Sequence, residues 1–199
     1  MKDWKGNTKT ITCLGAHNDS EHEREVNDYY ATSPVAIDYL LEVEDFSDLI
    51  LEPACGEGHL SKRLEEFGKR VVSTDLIDRG FGIGGIDFFK DELIFGGDII
   101  TNPPYRFAKE FIQKSLETVH SGAKVAMFLR IQFLESKGRY EFFKNNPPKK
   151  IYVFSGRMGC AMNGEFGKHS VSAVPYAWYV WEKGYKGETV IDWILVNKN

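Results

Sequence analysis

The sequence predicts an α/β fold: a mostly parallel β-sheet with helices on both faces, finishing in antiparallel strands. Three observations carry this. Apolar runs and amphipathic stretches alternate in β-α-β order between residues 49 and 129, the order that builds parallel sheets. The stretch holding Phe107, Phe111, Ile112, Leu116 and Val119 is long enough for a crossover between two such runs. Beyond residue 150, three strand-like runs follow with no long helical pattern between them, which suits antiparallel pairing.

Taken in order, residues 1–28 are polar and show no sustained period, so they read as an arm ahead of a single domain at 29–199. Ser33 and Pro34 form an N-cap and first-turn pair, and Ile37, Leu40 and Leu41 then recur at helical spacing, giving a helix over 34–44. The run 49–51 is a strand. After a Gly-containing turn, Leu60, Leu64 and Phe67 mark a helix stopped by Gly68. Strands follow at 70–75, 98–101 and 123–129, and later at 151–154, 176–181 and 190–195. Residues 182–187 look like the loop of a hairpin joining the last two. The Gly-rich insertion 156–174 is long enough to suggest function or disorder.

At 199 residues, 42% hydrophobic and 27% charged, the chain fits one globular domain. No apolar run approaches the ~20 residues that span a bilayer, so no membrane partner is expected. Residues 1–6 lack an apolar signal region, which makes the cytoplasm the expected location. Cys13, Cys55 and Cys160 are widely spaced with no C-x-x-C pair, supporting neither a disulfide framework nor a metal site. The formal charge of −4 hides a division: residues 1–101 carry 10 Lys+Arg against 21 Asp+Glu, and 102–199 carry 15 against 8. Such asymmetry would let one face meet phosphates, although clustering on a solvated surface fits the same counts.

Two segments carry chemistry. In 48–60 a strand meets a tight turn and a helix start, and Gly56 and Gly58 allow the backbone unusual dihedrals near a ligand laid across the strand ends. A dinucleotide fingerprint would want a third glycine where Ser61 stands, which weighs against a nicotinamide enzyme. In 98–105 an apolar strand runs into Asn102-Pro103-Pro104-Tyr105. Two prolines fix φ and push the residues before them into extended conformation, making a stiff bend with outward-pointing carbonyls. The Asn102 side-chain oxygen and the Pro103 carbonyl are two acceptors that could grip both hydrogens of an NH₂ group, with Tyr105 stacking on its ring. A structural turn is the alternative, and 145–148 holds a similar Asn-Asn-Pro-Pro without the aromatic or the preceding strand.

Glu52-Pro53-Ala54-Cys55-Gly56-Glu57-Gly58 resembles the acidic-Pro-x-Cys-Gly-x-Gly signature of class I S-adenosylmethionine-dependent methyltransferases. Asn102-Pro103-Pro104-Tyr105 is similar to the catalytic loop of those that methylate planar amino groups. The motifs cover 29–135. The resemblance implies a Rossmann-like, seven-stranded sheet and S-adenosylmethionine as cofactor. It places Glu52 near the donor's amino group and Pro53, Ala54, Cys55, Gly56 and Gly58 against its methionyl part. Asp75, with Leu76 beside it, would meet the ribose hydroxyls; capping of the following turn is the alternative for Asp75. Asp87 would accept from the adenine amino group and Phe88 pack on that ring, unless these are a surface Asp and a core aromatic. Tyr30 and Thr32 resemble a donor-covering aromatic-x-Thr-Pro segment with Ser33 inserted before Pro34; a helix start with an aromatic staple fits the same residues.

The motif order is similar to that of N6-adenine DNA methyltransferases, and the compactness to small phage-borne ones, whose location would be the host cytoplasm. The resemblance therefore implies an N-methyltransferase acting on adenine N6 in DNA, with no metal, the target being flipped from the stack. Arg157 and Lys168 would then meet phosphates and Phe166 the flipped base. Protein-glutamine or RNA amino groups are the alternative substrates, and a non-catalytic donor-binding module a further alternative.

Overall fold

An apolar run covered on both faces becomes a central strand, and the runs around Leu51 and Ile99 are of that kind. The computed structural model describes residues 30–90, 92–158, 160–162 and 174–196; the arm assigned to 1–28 lies outside the described residues. In chain order the elements are β1 (Tyr30–Thr32), α1 (Val35–Val43), β2 (Leu49–Glu52), α2 (His59–Glu66), β3 (Arg70–Ser73), β4 (Asp98–Thr101), α3 (Ala108–Thr118), β5 (Lys124–Arg130), α4 (Tyr140–Asn145), β6 (Lys150–Phe154), β7 (Cys160–Met162), β8 (Tyr176–Glu182) and β9 (Val190–Ile194).

Seven strands form one sheet in the order β3-β2-β4-β5-β8-β6-β9. The first four run parallel, β8 is antiparallel to both β5 and β6, and β9 lies parallel to β6. The fold class is the one expected, a mostly parallel seven-stranded sheet with antiparallel pairing among its C-terminal strands. Helices cover both faces. Ile37, Leu40 and Leu64 from α1 and α2 pack with Phe128, Tyr152 and Trp178 on one side. On the other, Phe111, Ile112 and Phe142 from α3 and α4 pack with Val125, Met127 and Tyr179.

Three local expectations are corrected. The hairpin at 182–187 does not form: β6 lies between β8 and β9, with pairing from Lys150↔Val190 to Phe154↔Ile194. The reason is burial. From Tyr176 to Trp181, β8 is buried at every position and takes a neighbour on each side, whereas β9 is exposed except at Ile194 and suits the sheet's edge. Ser33 does not cap α1 with its side chain; its carbonyl instead accepts from the Ala36 N–H at 2.9 Å. The insertion 156–174 is partly strand, because β7 pairs antiparallel with β1, from Tyr30↔Met162 to Thr32↔Cys160. Residues 163–173, and with them Phe166 and Lys168, lie outside the described residues. Among the described residues no helix is long and apolar enough to cross a membrane.

Asp98 ties together the end of the sheet opposite the parallel strands' C-termini. Its buried carboxylate accepts from the Ser47 N–H at 2.6 Å and the Lys124 N–H at 2.7 Å, joining β4 to the segment before β2 and to the start of β5. Hydrogen bonds to a charged acceptor contribute more than neutral ones, and the two amides would be left without it. Asp98→Ala should therefore lower unfolding free energy by about 2–4 kcal/mol, read as a lower urea midpoint at unchanged m-value; an unaltered midpoint would refute this role.

Candidate functional site

Parallel strands deliver their following loops to one edge of the sheet. Here β2 pairs with β3 on one side and β4 on the other, so the chain reverses direction across β2 and leaves a crevice at the strand ends, the usual ligand position in open α/β sheets. A cavity of about 370 Å³ occupies it, within the range of small-molecule sites. Its walls bring together Thr32, Glu52, Pro53, Ala54, Cys55, Asp75, Leu76, Asp87, Phe88, Asn102, Pro103, Pro104 and Tyr105.

The glycine turn acts through its backbone. Gly56 and Gly58 have φ of 55° and 80°, the left-handed region that β-carbons disfavour. A Cβ on Gly58 would come within 2.3 Å of the Phe81 ring, so this glycine admits Phe81 beneath the turn, and neither glycine lines the cavity. The Gly56 N–H donates to Asp75 Oδ2 at 2.8 Å, and the Ile77 N–H to Asp75 Oδ1 at 2.9 Å. Asp75 thus caps its own turn and pins the glycine loop to the end of β3. Each of its oxygens keeps further acceptor capacity at the cavity wall.

Glu52 ends β2 with only 2% of its surface exposed. It accepts a hydrogen bond from the Ser61 hydroxyl of α2, and Ser61 Oγ lies 2.6 Å from Ser73 Oγ of β3. Burial pushes its carboxyl up to about 8, against the lowering effect of the Ser61 bond. Ser61, placed where a dinucleotide site would carry glycine, is therefore the partner that makes a buried Glu52 tenable. Cys55 is pushed up to about 12 by burial and by the carboxylates of Glu52 and Asp75, which leaves it a thiol rather than a nucleophile.

The Asn102–Tyr105 loop leaves β4 and lines the same cavity. The Pro104 carbonyl accepts from the Phe107 N–H at 2.9 Å and starts a 3-10 turn over Tyr105–Phe107. No described donor bonds to the Pro103 carbonyl. The Thr32 hydroxyl is buried at the cavity wall, also without a partner among the described residues. Asp87 is engaged locally: Oδ1 accepts from the Phe89 N–H at 3.1 Å, and Oδ2 lies 3.1 Å from Lys90 Nζ, which holds its carboxyl below the usual range. Phe88 is buried against Phe111, ring centroids 5.3 Å apart.

Tyr30 lies in β1, whose other two residues line the cavity; Arg157 is exposed beyond β6 and does not. Sequence reasoning missed His59, Arg79, Phe89, Arg106 and Phe107, which also form the walls. Phe107, expected on the crossover helix, ends the 3-10 turn before α3 and is 40% exposed. Phe88 and Phe89 both pack on Phe111, with ring centroids 5.3 and 5.0 Å away, but Phe88 is buried while Phe89 remains 42% exposed.

No family model matches the chain and no curated protein is significantly similar to it in sequence. Solved structures are similar in fold. One, described as a class I S-adenosylmethionine-dependent methyltransferase of Listeria monocytogenes, has a TM-score of 0.57 at 15% identity, over 94% of this chain and 71% of that one. Another, described as an RNA methyltransferase of Pyrococcus horikoshii, has a TM-score of 0.55 at 13% identity, over 88% and 96%. A third, described as an O-methyltransferase of Agrobacterium tumefaciens, has a TM-score of 0.55 at 14% identity, over 77% and 83%. The chain has the Rossmann-like class I methyltransferase fold.

Glu52 links the site to pH. A carboxyl raised from 4.5 to about 8 in the folded protein contributes stability that is fully present below about pH 4.5 and is lost as pH rises through about 8, because the folded state then holds a proton the unfolded chain has released. Between pH 5 and 8 the melting temperature of the wild type should fall relative to that of Glu52→Gln, which keeps the shape without the titration. Parallel melting profiles for the two proteins would exclude this titration.

Proposed function

We infer that the protein is an S-adenosylmethionine-dependent methyltransferase that acts on an exocyclic amino group, adenine N6 in DNA being the substrate favoured. One observation carries this reading: residues 52–55, which lead from β2 into the glycine turn, and the Asn102–Tyr105 loop after β4 line the same cavity. The wall residues fit the donor. The partnerless Thr32 hydroxyl and the open acceptor capacity of Asp75 suit a nucleoside with hydroxyl groups. Leu76 and Phe88 offer apolar surface for its base. Buried Glu52 suits a cationic amino group, which would favour its ionised form.

Bound there, S-adenosylmethionine would supply an electrophilic methyl on a sulfonium sulfur. The remaining work falls to the chain. An amino group conjugated to a base ring has a delocalised lone pair and is a poor nucleophile. The Asn102 side-chain oxygen and the Pro103 carbonyl, held by a proline-stiffened bend, can accept both its hydrogens and draw the nitrogen toward tetrahedral geometry. As positive charge develops on that nitrogen, the same two oxygens stabilise it in a site that needs little reorganisation. Tyr105 would hold the ring by stacking.

Charge supports a nucleic-acid substrate. The described loops that leave β4, β5 and β6 at the cavity edge, with Arg130 ending β5, carry Arg106, Arg130, Lys137, Arg139 and Arg157 against Glu135. Arg139 is occupied by the Phe133 and Glu135 carbonyls, at 2.7 and 3.0 Å; Arg130, Lys137 and Arg157 are exposed cations of the kind that meets phosphates. Incubation with labelled donor and unmethylated DNA, followed by digestion to nucleosides, tests the reading. Label should appear in N6-methyladenine, and Asn102→Ala should lower kcat by roughly 100-fold or more while donor affinity stays within a few-fold. Label in N4-methylcytosine, in RNA alone or in a protein amide would reassign the substrate. Transfer to none of them would defeat the reading.

A further inference from the structure

The Tyr105 ring rests against two side chains that face each other across the β5–β8 ladder, Arg130 and Tyr176. Arg130 Cζ lies 5.0 Å from the Tyr105 ring centroid. The Tyr176 ring is 5.9 Å away at 33°, and it stacks on Phe128 at 4.9 Å and 14°. Phe128 and Tyr176 are buried, so Tyr105 ends an aromatic column anchored in the core, and Arg130 is the exposed cation at its tip. Arg130 differs from Arg63 and Arg139, whose ring contacts accompany other partners. Arg63 is paired with Asp38 and Glu66, and Arg139 with loop carbonyls. Arg130 has no carboxylate partner among the described residues; its guanidinium has the Tyr105 face.

We propose that Arg130 anchors the backbone phosphate of the nucleotide whose base stacks on Tyr105, and so selects a polynucleotide strand over a free base or an amide side chain. The proposal rests on the amino-methyltransferase reading of the cavity. A base laid on Tyr105 stays tethered to its own phosphodiester, and that group must pass close to whatever borders the ring. A guanidinium presents a planar fork of donors matched to phosphate oxygens. An exposed cation–π contact is weak beside a charge-assisted phosphate bond, so the ring can store the guanidinium in position and release it to the strand. Arg130 then acts on strand binding, while the acceptors at Asn102 and Pro103 act on the reacting nitrogen.

The full chain, Arg130→Gln and Arg130→Lys would be assayed for methyl transfer to matched DNA and RNA oligonucleotides over a series of salt concentrations, with S-adenosylhomocysteine affinity as the control for an intact fold. Arg130→Gln should raise KM for the preferred strand roughly 10-fold, change kcat less than about threefold, and reduce the salt slope by about one phosphate contact. Arg130→Lys should recover most of the salt slope, because it keeps the charge. The DNA and RNA arms show which phosphodiester is read. An unchanged KM and salt slope in an active Arg130→Gln enzyme would overturn the proposal, as would a fall in kcat at constant KM, which would mark Arg130 as a mere support for Tyr105. A wild type that methylates neither strand overturns it together with the substrate reading, and that outcome is visible before any variant is made.

Discussion

Parallel pairing of β2 with β3 and β4 is the constraint on which the site depends. Its register sets Glu52 opposite Ser73 and Leu51 opposite Ile99, so the loops that follow the three strands emerge at the same level. Because β3 and β4 lie on opposite sides of β2, those loops face one another across a crevice. A one-residue shift of β2 against its two neighbours would turn Glu52 to the other face of the sheet and dissolve its contact with Ser61. Asp75 extends the same constraint, since its bonds to the Gly56 and Ile77 amides fix the glycine turn to the end of β3.

The cavity's two chemical walls were legible in the sequence because their geometry is local. Consecutive prolines and a paired-glycine turn restrict or free their own backbone whatever surrounds them. Central strands were legible for a related reason: runs such as 98–101 are buried on both faces and leave little room for another reading. Partner choice was not. An apolar run announces a strand but does not record its neighbour, and β6 inserts between β8 and β9 on grounds of burial that only the packed sheet reveals. The pairing of β1 with β7 is likewise three residues long and non-local, and α4 is too short to display a helical period. Rim residues such as Arg79, Phe89 and Phe107 belong to loops whose position comes from the sheet, not from any pattern of their own.

Two chemical regimes meet in the cavity. On the glycine-turn side, a buried carboxyl is kept by a serine pair in a setting that favours its neutral form. On the Asn102 side, a stiff loop holds the Asn102 side-chain oxygen and the Pro103 carbonyl in a buried setting, and its aromatic continues into a core column of Tyr176 and Phe128. The first regime suits a cationic nucleoside, and the second a neutral planar amine approaching from the cationic edge. β1 lines the cavity through Ala31 and Thr32 and is hydrogen-bonded to β7 of the insertion, so the insertion is tied to the cavity's border.

A crystal structure with S-adenosylhomocysteine tests the shared cavity most directly. The account predicts ribose hydroxyls at Asp75, the homocysteine amino group at Glu52, the Thr32 hydroxyl in contact with the ligand, and the sulfur turned toward the Pro103 carbonyl. Ligand bound elsewhere, such as in the cavity bordered by Trp181 and Tyr185, or no uptake at saturating concentration, would contradict it.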